Sequence, residues 1–177
     1  MKRFPIVLLF LCAGLVARAN LDAAQQAKLD ACKPAVVALA ALPEVVSAVV
    51  AQNEHPSDEA LQLNNDDWKQ RTLLDKFVRS LSKNPTAVAL RAQAAPWVSE
   101  IFVNDAEGRK VAFLAKTTSW NHSSSAKHKE PMAGHTWQGP LEVDESSGAQ
   151  QVQIAVPVLV DGQPVGSLVV GVRLSEI

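Results

Sequence analysis

Apolar positions recur with two different periods along this chain, and the change comes at Trp97. Before it the spacing is helical. Ala, Leu, Gln and Val dominate Asn20 to Asn53, and Pro34 and Pro43, each lacking a backbone donor, are expected to divide this stretch into segments. In the last segment Leu42, Val45, Val46, Val49 and Val50 fall on one stripe, the signature of a half-buried helix. Gln52 to Asn65 is polar, holds Pro56 and reads as a loop. Asn65 or Asp66 then caps a helix in which Leu74, Phe77, Val78 and Leu81 repeat at helical spacing, with Trp68 near its start. Asn84-Pro85 supplies a cap followed by proline at the first helical position, opening a short helix that ends before Pro96.

After Trp97 the period becomes that of a strand. Val98 to Val103 and Lys110 to Ala115 flank Asn104-Asp-Ala-Glu-Gly108, a turn composition in which Gly108 can take a positive φ. A second hairpin is stronger. Val152, Ile154, Val156, Val158 and Val160 alternate on one face, Asp161-Gly162 is a favoured two-residue turn, and Leu168, Val170, Val172 and Leu174 alternate on the return strand. Pro157 requires an edge or a bulge. A short strand at Leu141 to Val143 would join the hairpins and bring the sheet to five strands. Asp144-Glu145-Ser146-Ser147 reads as the turn before the fourth strand, its side chains bonded to local backbone; Asp105 has the same role in the first turn, and Phe102 and Phe113 read as core. Helices first and an antiparallel sheet second make an α+β fold, with 20–95 helical and 96–177 the sheet.

Composition adds a compartment and removes a partner class. Lys2 and Arg3 precede an apolar run of 11 residues, Ile6 to Val16, and Ala17-Arg18-Ala19 is a small-x-small cleavage site. The run is shorter than the roughly 20 residues that span a bilayer, so 1–19 is expected to be a signal peptide cut near Ala19, giving a periplasmic or secreted product. Cys12 lacks the small preceding residue of a lipid-attachment site. Removing Lys2, Arg3 and Arg18 from the 17 basic residues leaves 14 against 18 acidic ones, a net charge near -4 that disfavours nucleic acid. Cys32 would be the one remaining cysteine, expected to be a small core residue. A mature length of about 158 residues fits one domain. Nothing after the last strand-like run reads as a signalling output, so occupancy would have to pass to a partner.

Three segments then carry a family resemblance: Val45-Val-Ser-Ala-Val-Val-Ala-Gln-Asn53, Ser99-Glu-Ile-Phe-Val-Asn-Asp-Ala-Glu-Gly108, and Asp144-Glu-Ser-Ser147 leading into Val152-Gln-Ile-Ala-Val-Pro-Val158. In order and spacing they resemble the single Cache, or PDC-type, sensor domains of bacteria, over Ala35 to Val172. The resemblance implies a PAS-like five-stranded sheet with a long N-terminal helical segment behind it. It also implies a small-molecule pocket on the opposite face, walled by the central strands and by the segment between the second and third strands. Members of the family often carry Thr-Ser-Asp-Tyr-Trp-Gln-Gly-Asp-Glu-Ala-Lys-Trp in that segment. This chain matches Thr117, Ala126 and Lys127, has Trp120 where an aromatic is expected, and replaces the acidic centre with Ser123, Ser124 and Ser125.

The segment from Thr117 to Trp137 therefore holds the candidate chemistry. Trp120 and Trp137 would supply apolar walls, while Asn121, His122, Lys127 and His135 would place directional polar groups, the usual make-up of a ligand site. Gln153 alternates with the helix-packed face of its strand and joins them as a pocket candidate. The bland reading makes both tryptophans a cap on the sheet core and the polar residues a solvated loop. A metal held by His122, His128 and His135 with Glu130 or Asp144 has little behind it, because spacings of six and seven residues match no standard zinc pattern. A hydrolase built on Ser124, a histidine and Asp144 lacks the Gly-x-Ser-x-Gly elbow, and glycine-rich phosphate loops are absent, so neither catalysis nor a cofactor is expected.

Two functions follow. The first is a sensor domain that binds a small solute, an organic acid or amino acid, and passes occupancy to a partner as the Thr117 to Trp137 segment closes and the long helix shifts. The second is a scaffold without ligand, whose N-terminal helix pairs with itself or docks on a membrane receptor. Leu39, Leu42, Val46 and Val49 would then include interface positions.

Overall fold

The computed structural model describes residues 21–143 and 149–177. The expected signal peptide with its cleavage site near Ala19, Cys12, and the turn expected at Asp144 to Ser147 lie outside the described residues. Among the described residues six helices come first. α1 (Ala23–Ala40) opens on a reciprocal cap, with the Asp22 carboxylate accepting from the Gln25 N–H at 2.7 Å and the Gln25 side chain accepting from the Asp22 N–H at 3.0 Å. Pro34 does not divide this helix, against expectation. It stands on the exposed side, where water can satisfy the Asp30 carbonyl that loses its donor. α2 (Pro43–Glu54) starts at Pro43 as expected.

The next two expectations need correction. The stretch read as a loop contains α3 (Asp58–Gln62), capped by the Ser57 hydroxyl. The single helix expected after Asn65 is two, α4 (Asn65–Gln70) and α5 (Lys76–Lys83). The first cap is Asn64, not Asn65 or Asp66, and a second cap at Asp75 accepts from the N–H groups of Phe77 and Val78 and splits the apolar repeat. Leu74 falls in the connection and is 81% exposed. α6 (Pro85–Gln93) has the Asn84 cap and the Pro85 start that the sequence predicts.

Five antiparallel strands follow: β1 (Val98–Asn104), β2 (Lys110–Phe113), β3 (Trp137–Val143), β4 (Gln150–Val160) and β5 (Gln163–Arg173). They lie in the order β2-β1-β5-β4-β3, so the α+β fold with a five-stranded sheet is as expected. β3 is longer than its predicted core, beginning at Trp137. Both predicted turns form. Gly108 has φ +79°, and Asp161 and Gly162 have φ 50° and 78°, the backbone of a mirror-type turn that follows the twist of its strands. Asp105 is buried and accepts from the N–H groups of Glu107 and Arg109, as a turn aspartate does. Pro157 sits in an interior strand, yet β3 pairs with β4 only from Gln150 to Ala155, so the proline lies past the end of its neighbour.

One face of the sheet packs on α1 and α2. Val103, Ile154, Val156, Leu168 and Val170 meet Leu29, Val36, Leu39, Val45 and Val49 there. Leu39 and Val49, positions that a helix-paired dimer would use, belong to this internal core, and Leu42 and Val46 pack part-buried against it. Cys32 is buried in the same layer, where desolvation pushes its thiol up. On the other face Phe102, Ala155 and Val169 meet Trp68, Val78, Phe113 and Trp120. The polar segment between the hairpins is not irregular throughout. It contains α7 (Ala126–Met132), packed across β4 and β5.

Candidate functional site

Several residues of β1 and β4 that turn away from α1 are polar, beside the apolar Phe102 and Ala155, where the helix-facing residues are aliphatic. Glu100 follows a register irregularity in β1, and Gln151 and Gln153 alternate with Val152 and Ile154 in β4. Gly171 of β5 lies between them without a side chain; a Cβ there would stand 2.2 Å from Ser99 Oγ and 2.8 Å from Glu100 Cγ. Its bareness lets the neighbouring polar side chains converge. Around them opens a cleft of about 540 Å³, closed by Lys116 to Thr118 after β2, by His122, by Lys127 of α7 and by Glu142 of β3.

The cleft holds a chain of polar contacts. Gln153 donates to Glu100 Oε1 at 2.6 Å, and the Lys127 ammonium donates to Gln153 Oε1. Beside it Ser99 donates to Gln151 at 2.7 Å. His122 stacks on Phe102 with ring centroids 5.0 Å apart. Beneath His122 lies Lys110, fully buried, its ammonium 4.2 Å from the centroid of the Phe102 ring, donating to Asn104 Oδ1 at 2.9 Å and meeting His122 Nδ1.

Burial decides the charge states. Desolvation, then the charges of Lys110 and Lys127 and the neighbouring His128, pull His122 down to about 3, so it is neutral at pH 7 and offers Nδ1 as an acceptor to Lys110. Lys110 is itself held well below the usual lysine range by burial and by Lys127, against the opposing pull of Glu100 and Asp105. From Asn104 the network continues inward. Asn104 Nδ2 donates to Ser167 Oγ at 2.9 Å, and His128 Nδ1 lies 2.8 Å from the same oxygen. His128 Nε2 is 3.2 Å from the Ala106 carbonyl, which can only accept. Burial lowers His128 too, and the neutral ring therefore carries its proton on Nε2 and accepts from Ser167 at Nδ1.

Of the seven side chains expected at a pocket, three line this cleft: His122, Lys127 and Gln153. The other four stand elsewhere. Trp120 is 1% exposed in the second core, with Trp68 and Phe77 rings at 5.4 Å, and its indole N–H has no partner among the described residues. It stands in the second core and does not line this cleft. Trp137 is part-buried at the start of β3, packed against the same core. Asn121 fastens its loop, donating to the Glu107 carbonyl at 2.9 Å and accepting from the Ser123 N–H at 2.7 Å. His135 is exposed, 3.2 Å from Glu130.

The three histidines of the segment are thus not gathered. Among the described residues no group of three or more His, Cys, Asp or Glu side chains is placed to hold a metal. Ser124 is exposed, and its supposed partner Asp144 lies outside the described residues. Sequence reasoning missed Glu100, Lys110, Asn104 and Ser167. Their signal was a polar residue at a site-facing position in strands otherwise apolar, at Asn104 after Ile-Phe-Val and at Ser167 before Leu-Val-Val. The arrangement suits non-covalent recognition of a small charged solute: cationic Lys116 and Lys127 and anionic Glu100 and Glu142 face one space.

No protein-family model matches the chain, and no curated protein sequence matches it. Solved structures similar to it include the Escherichia coli DcuS sensor domain, at 12% identity and TM-score 0.45, covering 87% of this chain and 94% of that one. Another is the sensory domain of the Campylobacter jejuni chemoreceptor Tlp3 with isoleucine bound, at 12% identity and TM-score 0.42, covering 86% and 64%. A third is the Vibrio cholerae histidine kinase DctB sensor domain, at 18% identity and TM-score 0.38; the match covers 86% of this chain, which spans 58% of that domain.

Proposed function

We propose that this chain is an extracytoplasmic Cache-type sensor domain, exported by its N-terminal signal, that binds a small organic acid or amino acid and passes occupancy to a partner protein. The observation that carries this reading is the Lys127, Gln153, Glu100 chain across the cleft, with a neutral His122 at its side. A solute carboxylate would replace the Gln153 carbonyl as the acceptor for Lys127. A solute ammonium, where there is one, would take Glu100 or Glu142.

α7 connects the site to the rest of the molecule. It supplies Lys127 to the cleft and His128 to the buried network, so a ligand that draws Lys127 inward moves the helix over β4 and β5. That movement requires that the ligand prefer the closed arrangement by its own free-energy difference. The test is a thermal-shift screen of the mature protein against amino acids and organic acids. A ligand at 100 times its dissociation constant adds about 2.7 kcal/mol to stability. Lys127→Met should remove the shift while the fold persists, and Glu100→Gln should weaken it for a solute that carries an ammonium; a flat screen, or a shift that survives Lys127→Met, would refute the proposal.

A further inference from the structure

A second concavity adjoins this cleft at Lys116, between the Arg71 to Asp75 connection, α5, the end of α6 and the residues that follow β2. It encloses about 830 Å³. Its exposed apolar side chains are Leu73 and Leu74, 63% and 81% exposed, beside the buried core residue Phe113. Leu73 and Leu74 stand side by side, open to water, among these residues. The charged residues around it are Arg79, Lys83, Arg91 and Lys116, with no carboxylate lining it among the described residues. None of these four cations forms an ion pair with a carboxylate among the described residues. The chain as a whole carries a formal charge of -1, so the positive sign belongs to this place and not to the composition.

We infer that this groove is a docking surface for an acidic protein segment in which carboxylates flank apolar side chains. Charge complementarity selects the partner. Apolar side chains of the segment would cover Leu73 and Leu74, and its carboxylates would reach the cations beside them. A small anion by itself would leave Leu73 and Leu74 in water. The inference stands independently of any solute in the first cleft.

The experiment is fluorescence anisotropy on the mature protein with a short labelled peptide of glutamate and leucine. Two control peptides replace leucine by serine and glutamate by lysine, and phosphatidylglycerol vesicles form a separate arm. Binding of the glutamate-leucine peptide alone, weakening as salt rises, is expected. The charge reversal Arg79→Glu with Lys83→Glu and the exposed change Leu74→Ser should each weaken it by about tenfold or more, with circular dichroism unchanged. Equal binding of the serine peptide, binding that survives the reversal, no binding at all, or vesicle binding without peptide binding would each overturn the inference.

Discussion

His122 shows how a single residue ties the site to stability. Its ring stays neutral to about 3 because it is buried and faces Lys110, Lys127 and His128. A histidine in the unfolded chain takes its proton near 6.5. Between those values the unfolded state binds the extra proton, so stability present above pH 6.5 is lost as pH falls toward about 3. The slope from this one group is at most about 1.4 kcal/mol per pH unit. His128 is lowered by burial and acts in the same sense. Urea unfolding at several values through this window should show a steeper loss for the wild type than for His122→Asn; parallel curves would assign the acid sensitivity to other groups. Alternation in β4 correctly put Gln153 on the face away from the helices. It could not find Glu100 or Lys110, because a charged residue in an alternating strand reads the same whether its face meets water or a covered polar layer. Nor could it separate Trp120 from a pocket wall, since an aromatic in a polar segment has no neighbours in the sequence to mark it as core.

At the scale of elements, local chemistry was legible and interruption was not. The Asp161-Gly162 turn, the Asn84-Pro85 start and the Gly108 turn follow from dihedral and capping rules that act within a few residues. Pro34 was misjudged because its effect depends on which side of α1 meets water, and α7 was missed because its face is completed by β4 and β5. Two turn glycines with the same sign of φ separate the local from the tertiary contribution. At Gly162 a Cβ meets nothing within 4 Å, whereas at Gly108 it would lie 2.4 Å from the Ser123 backbone nitrogen. Gly108 also accepts from the His122 N–H at 2.8 Å and so seats the loop that bears that ring. Gly162→Ala should therefore lower stability by about 1 kcal/mol and leave solute binding intact. Gly108→Ala should be the more damaging in thermal melts and should also weaken any solute found by the screen. Equal melting losses with unaltered binding would show that the first turn does not support the site.

Over the whole molecule the two concavities are neighbours that share one residue. Lys116 lines both the first cleft and the leucine groove, its ammonium 4.7 Å from the centroid of the Trp68 ring, and burial lowers its proton affinity. A carboxylate taken up in the cleft would draw this charge toward itself and leave the groove less positive. The coupling is a free energy shared by both sites, so the peptide must weaken the solute by the same factor as the solute weakens the peptide. Titrating the acidic peptide at rising concentrations of a solute that stabilises the protein should give a several-fold loss of affinity, and the reverse titration an equal one. Lys116→Gln should lower peptide affinity modestly and abolish the mutual effect, because the shared charge is gone while Arg79, Lys83 and Arg91 still line the groove. Antagonism that survives this change would route the coupling through α7 and the buried Lys110, Asn104, Ser167 and His128 network instead. Independent titrations would make the groove and the cleft separate sites on one fold.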